Sequence, residues 1–510
     1  MAPSMPVERV RSIAILGGGT AGWLAAATLA RRLKPDFCAL RLIDSGSGTG
    51  GGFSEVALPS FHRLNGLLGI AEGDLMRRTL GTFRLGTRFA HWGRSGEQYF
   101  HTSGSIGAKL DAVPFHHYWL KLRELGGETS LEDYSTATVA ARQGRFAPPG
   151  PQRSSFLSSY SYGYHFHAAL LAAYLRHYAL EHGVVRTERN IVQVQLRGED
   201  GFVDALQLDD GSQVRADLYI DCTNGRALWS PDRHGGFEDW SQWFACDRSV
   251  AVLCDSAQEA VPYSLARAER CGWSWRIPLQ RCIDSGLMYS SNSVSDDEAT
   301  ATLLADLPGA RLTDVRNIKW SPGRPTKFWD RNCITLASGG LEPLECTALH
   351  LVQTGVARLL TLFPVSRYSP HDIEEYNRLT GQEWERIRDF LILHYKATSR
   401  ADSPFWDRCR KMEVPATLRA RMDLFQRCGR LAMQDDEHFG EESWLSLLLG
   451  QGVYPQDYDP LADVLDVEQV QDALLRMRMM VRDGVEGQPT MARFIAGYCA
   501  AGVADIGATG

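Results

Sequence analysis

The sequence predicts an α/β fold on three observations. An apolar run at 12–16 turns through glycines into an alanine- and leucine-rich stretch, strand and helix signals alternate through the middle of the chain, and apolar residues recur at helical spacing from about residue 350 onward. At 510 residues the chain is long enough for two or three packed lobes. A hydrophobic content of 44% and a charged content of 23% are ordinary for a globular protein. The net charge of −7, with no compensating basic stripe, argues against nucleic acid as the main partner.

Taken in order, Ser12 to Leu16 reads as a strand, 21–34 as a helix ending in arginines, and 40–43 as a second strand ending in Asp44. A glycine-laden loop spans 46–52, and 60–80 reads as one helix. Further on, 166–182 reads as helix and 191–196 as an alternating strand. Asp200-Gly201 and Asp210-Gly211 mark hairpin turns about the strand 203–208, and 218–222 is a buried strand. The prolines at 148, 149 and 151 mark 140–155 as a surface loop, whereas 376–395 and 467–481 are helical. The last residues, 500–510, are small and read as frayed.

The eleven cysteines are scattered, with no CxxC pair and no His/Cys cluster at zinc spacing, so neither a disulfide framework nor a metal site is expected. No apolar signal core follows the N-terminus, and no run approaches the roughly 20 apolar residues that span a bilayer, so no membrane partner is expected and a reducing cytoplasm is the expected setting.

Gly17, Gly19 and Gly22 form GxGxxG between the first strand and helix. The first permits the tight turn, the second lets a pyrophosphate approach the backbone, and the third lets helix and strand pack closely. The helix N-terminus offers free N–H groups to the phosphates, and Asp44 ends the second strand where a carboxylate can accept from a ribose hydroxyl. This fragment predicts a dinucleotide and leaves NAD or FAD open. Residues 216–225 and 332–340 favour FAD, because they resemble the segments that return to the flavin and pass its ribityl chain in FAD monooxygenases.

Two further segments narrow the reading. Gly272-Trp273-Ser274-Trp275-Arg276-Ile277-Pro278 places two tryptophans two residues apart, on one side of a strand, beside a proline. Leu341-Glu342-Pro343-Leu344-Glu345-Cys346-Thr347-Ala348-Leu349 carries two glutamates ahead of a helix. With the glycine turn, these resemble the flavin-dependent halogenases, also called tryptophan halogenases. The match covers most of the chain and is weakest at 125–160 and beyond 460.

The resemblance implies an FAD-binding two-domain fold of the hydroxybenzoate-hydroxylase (glutathione-reductase-like) type with a helical C-terminal region. Residues 1–350 would form the FAD module, with 85–160 and 225–325 interleaved as a second lobe, and 351–510 a helical cap. It implies that FADH2 and dioxygen oxidise chloride or bromide to hypohalous acid, which halogenates an electron-rich aromatic, an indole being one candidate. A separate NAD(P)H-dependent flavin reductase would supply FADH2, and a homodimer is left open. Cofactor contacts are assigned to Gly17, Gly19, Thr20, Ala21 and Gly22, to Asp44, and to Glu55 and Val56 of a segment resembling the family's Gly-Glu-Ala-Thr-x-Pro loop. Val192, Leu336 and Leu349 complete that set.

In the same resemblance Trp273, Trp275, Ile277 and Pro278 wall the flavin from substrate, the backbone N–H groups of Thr347 and Ala348 hold halide, and Glu345 is the catalytic glutamate. A carboxylate between apolar segments is expected to have a raised pKa, suiting proton transfer near neutrality. Trp444, Tyr454 and Tyr458 are candidates for the substrate pocket or for core packing. His165 and His167, lacking a third ligand, read as structural or flavin-lining.

The chain departs from the family at Arg84, where halogenases carry a catalytic lysine. A guanidinium is effectively never deprotonated, so it cannot form a haloamine, although it can donate hydrogen bonds to hypohalite. Only seven of the 54 basic residues are lysine, and none lies between Lys34 and Lys109. A flavin monooxygenase or oxidase on the same scaffold is therefore the alternative, and a catalytically silent flavoprotein a third reading.

Overall fold

The structure, a computed structural model, describes residues 9–502 apart from 47–51, 112, 151–157, 199, 224–235, 257, 337–339 and 365–368. Ser12–Leu16, almost wholly buried, lies near the centre of a six-stranded sheet. It pairs in parallel with Ala39–Asp44 on one side and Leu218–Asp221 on the other. Cys333–Thr335 continues the parallel set, Val185–Glu188 forms one edge, and Trp329–Asp330 closes the other antiparallel. Central parallel strands are covered on both faces, which is why they read as unbroken apolar runs.

The helix Thr20–Arg32 covers one face and buries Trp23, Leu24 and Leu29 completely. Each contributes roughly 1.5–3 kcal/mol by removal from water. Its small residues Ala25, Ala26 and Ala27 let the helices Ala168–Glu181 and Ala348–Thr361 pack closely against it.

A second, seven-stranded sheet is drawn from two stretches of chain. Gly86–Ala90 and Gln98–Thr102 come from the first, and Arg248–Asp255, Tyr263–Glu269, Gly272–Pro278, Cys282–Tyr289 and Arg316–Lys319 from the second. Ser54–Ala57, Gly163–His167 and Thr82–Arg84 form a small sheet joining the two large ones. Thr82–Arg84 runs directly into Gly86–Ala90, so Arg84 sits at the joint. A Cβ at Gly86 would meet the His101 carbonyl oxygen at 2.1 Å; this glycine is what lets 84–86 and 101–102 lie so close.

From Ala348–Thr361 to Met491–Tyr498 the chain is mainly helical, its longest helix being Pro370–Lys396. Among the described residues no helix is long and apolar enough to cross a membrane.

Several boundaries differ from the sequence reading. Residues 60–80 form two helices, Phe61–Leu68 and Glu72–Arg78, because the chain turns left-handed at Gly69, φ +71°. Phe166 and His167 belong to a strand, held extended by pairing with Ser54–Ala57, and the helix begins at Ala168. The first part of 140–155 ends the helix Thr136–Arg142, while 151–157 lie outside the described residues. Parts of the glycine loop (47–51), of 216–225 and of 332–340 also lie outside them. The hairpin glycines Gly201 and Gly211 adopt the positive φ that their turns require, +71° and +82°.

Candidate active site

The glycine turn is shaped for a phosphate group. Gly17 has φ +107°, and a Cβ at Gly22 would stand 1.9 Å from the Gly17 carbonyl oxygen, so helix and strand touch through bare backbone. A Cβ at Gly19 would meet nothing within 4 Å, which leaves open space at the N-terminus of Thr20–Arg32, where Thr20 and Ala21 present first-turn N–H groups. Gly18, which the motif leaves unspecified, admits the Asp44 carboxylate; a Cβ there would lie 2.5 Å from Asp44 Oδ2.

Asp44 is less free than the sequence suggested. Arg186 donates to both its oxygens, from Nε at 3.1 Å and Nη2 at 3.0 Å, and any ribose hydroxyl must use the remaining lone pairs. Val192 lies on Ile191–Leu196, 60% exposed, shortly after Arg189 donates its N–H to the Asp44 carbonyl.

A cavity of about 680 Å³ opens between the two large sheets. Glu55, Val56, Trp273, Trp275, Ile277, Thr347 and Ala348 all line it. The tryptophan rings share one side of their strand, centroids 5.7 Å apart. Trp275 lies over Gly286 on the neighbouring strand, where a Cβ would stand 2.0 Å from its ring. Trp273 Nε1 donates to Glu342 Oε1 at 2.6 Å, and the Tyr395 hydroxyl donates to the same oxygen. Pro278 is buried, its carbonyl accepting from Thr82 Oγ1 at 2.6 Å, which ties the tryptophan strand to the Arg84 strand. Leu336 and Leu349 are buried in the core, next in sequence to the lining residues Thr335 and Ala348.

Burial pushes the Glu342 and Glu55 carboxyls up to about 7 and Asp284 up to about 6. A carboxyl whose folded pKa is raised stabilises below its ordinary pKa and loses that contribution as pH rises through the folded value. Thermal stability is therefore expected to fall between pH 5 and 8. Glu342→Gln is expected to flatten this slope by on the order of 2–3 kcal/mol, checked by melting the FAD-free protein at both pH values.

A second cavity, of about 600 Å³, lies across one strip of chain from the first. Ser54, Glu55 and Val56 face the first cavity, while Leu58, Pro59 and Ser60 face the second. Likewise Cys346, Thr347 and Ala348 face the first and Glu345 the second. The reversal comes from a 3-10 turn, Pro343–Glu345, followed by Cys346 in the left-handed region at φ +58°. The helix Ala348–Thr361 then starts with its N-terminal N–H groups beside the first cavity.

Glu345 is 1% exposed, and its Oε1 is flanked by two imidazoles, His101 Nδ1 at 2.8 Å and His394 Nε2 at 2.9 Å. Burial pushes its carboxyl up, but the two imidazoles outweigh burial and hold it well below the usual carboxylate range. The expected raised pKa is therefore overturned. Its sequence neighbours are apolar, but its polar partners arrive from far along the chain. Burial lowers His394 below the ordinary imidazole value, against the pull of Glu345.

Arg84 also lines the second cavity, 3% exposed. Its Nη2 donates to Thr87 Oγ1 at 2.7 Å, its Nε is buried without a hydrogen-bond partner, and no carboxylate pairs with it among the described residues. Serines on two loops, 103–105 and 158–161, and the stretch His438-Phe439-Gly440 supply the remaining walls. Trp444 lies instead in the core against Phe390, Tyr454 is 40% exposed beneath Arg123, and Tyr458 donates to Asp463; none of them lines either cavity. His165 bonds Thr82 and Ser264, and among the described residues no metal-binding group forms.

Residues 12–467 match the family described as tryptophan halogenase. Tryptophan 6-halogenase ThaL of Streptomyces albogriseolus is 28% identical over 441 residues, 82% of each chain. Tryptophan 7-halogenase RebH of Lentzea aerocolonigenes is 27% identical over 441 residues, again 82% of each. The solved structure of Xcc4156, a flavin-dependent halogenase from Xanthomonas campestris, is 40% identical and superposes with a TM-score of 0.93 over 97% of this chain and 99% of that one. BrvH, a flavin-dependent halogenase from Brevundimonas sp. BAL3, is 39% identical with a TM-score of 0.91 over 96% and 99%. These relatives do not favour the monooxygenase alternative that Arg84 raised. The chain belongs to the tryptophan halogenase family, flavin-dependent enzymes that use FADH2 from a separate reductase, dioxygen and halide to halogenate an aromatic substrate.

Proposed function

We propose that the first cavity holds the isoalloxazine of FAD and the second an electron-rich aromatic of indole type. The pyrophosphate would rest on Gly17–Gly22 and the adenosine between Asp44 and Val192, with Glu55, Val56, Leu336 and Leu349 around the ring system. Bound FADH2 supplies, with dioxygen, the oxidising power that turns halide into hypohalous acid. The backbone N–H groups of Thr347, the N-cap, and Ala348, the first helical residue, hold the halide, as a helix N-terminus does for an anion. Trp273, Trp275, Ile277 and Pro278 form the rigid side that keeps the aromatic out of the first cavity.

One observation carries this reading: Cys346–Ala348 face one cavity and Glu345 the other. Hypohalous acid leaving the first cavity meets Arg84 and Glu345 together in the second, where Arg84 donates hydrogen bonds to its oxygen. The test is a reconstituted reaction with a flavin reductase, bromide, dioxygen and a panel of indoles. Products carrying the bromine isotope pattern support the reading, and oxygen consumption without bromination overturns it.

Arg84→Lys restores an amine that can deprotonate and is expected to raise bromination by roughly tenfold. Arg84→Met is expected to lower it about 100-fold by removing the donor. Initial rates check both, and an Arg84→Lys enzyme no faster than the parent would count against this role for the side chain.

A further inference from the structure

Glu342 is a buried carboxyl for which the chemistry above finds no use. It lies in the middle of a stretch, 340–344, that lines the first cavity, and it is 1% exposed. Its two oxygens are unequal. Trp273 Nε1 donates to Oε1 at 2.6 Å and the Tyr395 hydroxyl donates to the same atom, whereas Oε2 is buried without a hydrogen-bond partner among the described residues. A buried polar atom left unpaired costs stability, and a ligand in the cavity that pairs with it offsets the cost.

The inequality also locates a proton. Oε1 spends both lone pairs on the indole and phenol donors, so a neutral carboxyl carries its hydrogen on Oε2. The surroundings keep it neutral. No cation pairs with Glu342 among the described residues, and burial pushes its carboxyl up to about 7. The titratable groups packed about it are the Tyr395 phenol and the Cys246 and Cys409 thiols, each pushed further up by burial and so uncharged. Glu55, Asp284 and the exposed Lys319 also line the cavity.

On the proposed function above, we infer that neutral Glu342 donates a hydrogen bond from Oε2 to an acceptor atom of the isoalloxazine, which makes it a binding residue for FAD. An apolar setting that keeps a carboxylic acid protonated, so that it can donate, suits a conjugated ring with acceptors at its edge. The sign with pH follows. Deprotonation removes the donor and sets a negative charge beside the ring, so FAD binding requires the protonated form. Affinity is therefore lost as pH rises through the folded value, by about tenfold per pH unit above it.

The experiment measures FAD affinity at pH 6 and pH 8, in halide-free buffer, for wild type and Glu342→Gln. Glutamine keeps an acceptor for Trp273 and Tyr395 and places an uncharged N–H donor where the Oε2 hydrogen stood. The two proteins are expected to bind FAD alike at pH 6, and at pH 8 the variant is expected to bind about tenfold more tightly than wild type. Glu55 and Asp284 titrate in both proteins, so their share cancels. The infrared difference between FAD-bound and free wild type is expected to show a shifted C=O stretch of a protonated carboxyl, missing from Glu342→Gln. Equal affinities at pH 8, or no such band, would overturn the assignment and leave the function standing. A band that shifts only when bromide is added would give the hydrogen bond to halide and overturn the assignment as well. Failure of wild type to bind FAD at either pH would overturn the function on which it rests. If Glu342→Gln does not fold, Trp273→Phe carries the test. Loss of a hydrogen bond that favours the ionised carboxyl moves the fall in affinity to higher pH, and an unmoved fall overturns the assignment.

Discussion

Turnover in a Glu345→Ala enzyme is expected to fall by roughly three orders of magnitude, while its affinity for FAD stays near that of the parent. The chemical loss is expected from the site, since the methyl group can neither meet hypohalous acid nor take up a proton. Retained FAD binding follows from placement, because Glu345 faces the second cavity and not the first. Stability also falls, by on the order of 1–3 kcal/mol for the His101 Nδ1 left without its partner. The sign with pH is opposite to that for Glu342. Glu345 has a folded pKa far below its ordinary value, so its contribution is present above that ordinary value and lost as pH falls. The melting-temperature gap between parent and variant should therefore be wide at pH 7 and narrow toward pH 4. A gap that does not change with pH, or wild-type turnover in the variant, would refute this account of the carboxylate.

Gly22→Val is expected to eliminate FAD binding altogether. Its Cβ would fall 1.9 Å from the Gly17 carbonyl oxygen, and neither partner is a side chain that can swing away. The helix must lift off the strand, carrying Thr20 and Ala21 away from the phosphate position and opening the core beneath Trp23 and Leu24. A displacement of that size costs several kcal/mol, comparable to the whole stability of many domains. Equilibrium dialysis with FAD and far-ultraviolet circular dichroism check the two parts separately. Tight FAD binding by this variant would show that the glycine turn is not the phosphate cradle.

The parts of the site visible in the sequence are those built from near neighbours. Gly17 and Gly22 meet within one turn, Trp273 and Trp275 share a strand face, and Glu345 to Ala348 form one continuous strip. Arg84 could be singled out because a single strand carries it between recognisable segments. What escaped notice depends on contacts across hundreds of residues. His101 reaches Glu345 over 244 positions, and neither His101 nor His394 sits in a pattern that marks it as more than a core histidine. The direction of the Glu345 pKa is hidden from the sequence for that reason: Leu341 and Leu344 imply burial, but nothing nearby in sequence implies the opposing imidazoles. Trp444, which the sequence leaves between pocket and core, packs in the core against Phe390, a choice that only the tertiary contacts settle. The break at Gly69 and the strand character of Phe166 likewise reflect turn geometry and strand pairing that periodicity does not encode.

The strip that separates the cavities also divides two kinds of wall. On the first cavity's side the tryptophan strand is paired along both edges, and Glu342 beside it is buried. The second cavity is walled largely by the connections 103–105 and 158–161, which meet through one bridge between Gly104 and Tyr160, and by 438–443 at the start of the helix Glu441–Gly450. Changes in those connections leave the pairing of the tryptophan strand untouched. Grafting those three connections between relatives is the direct route to altering what becomes halogenated.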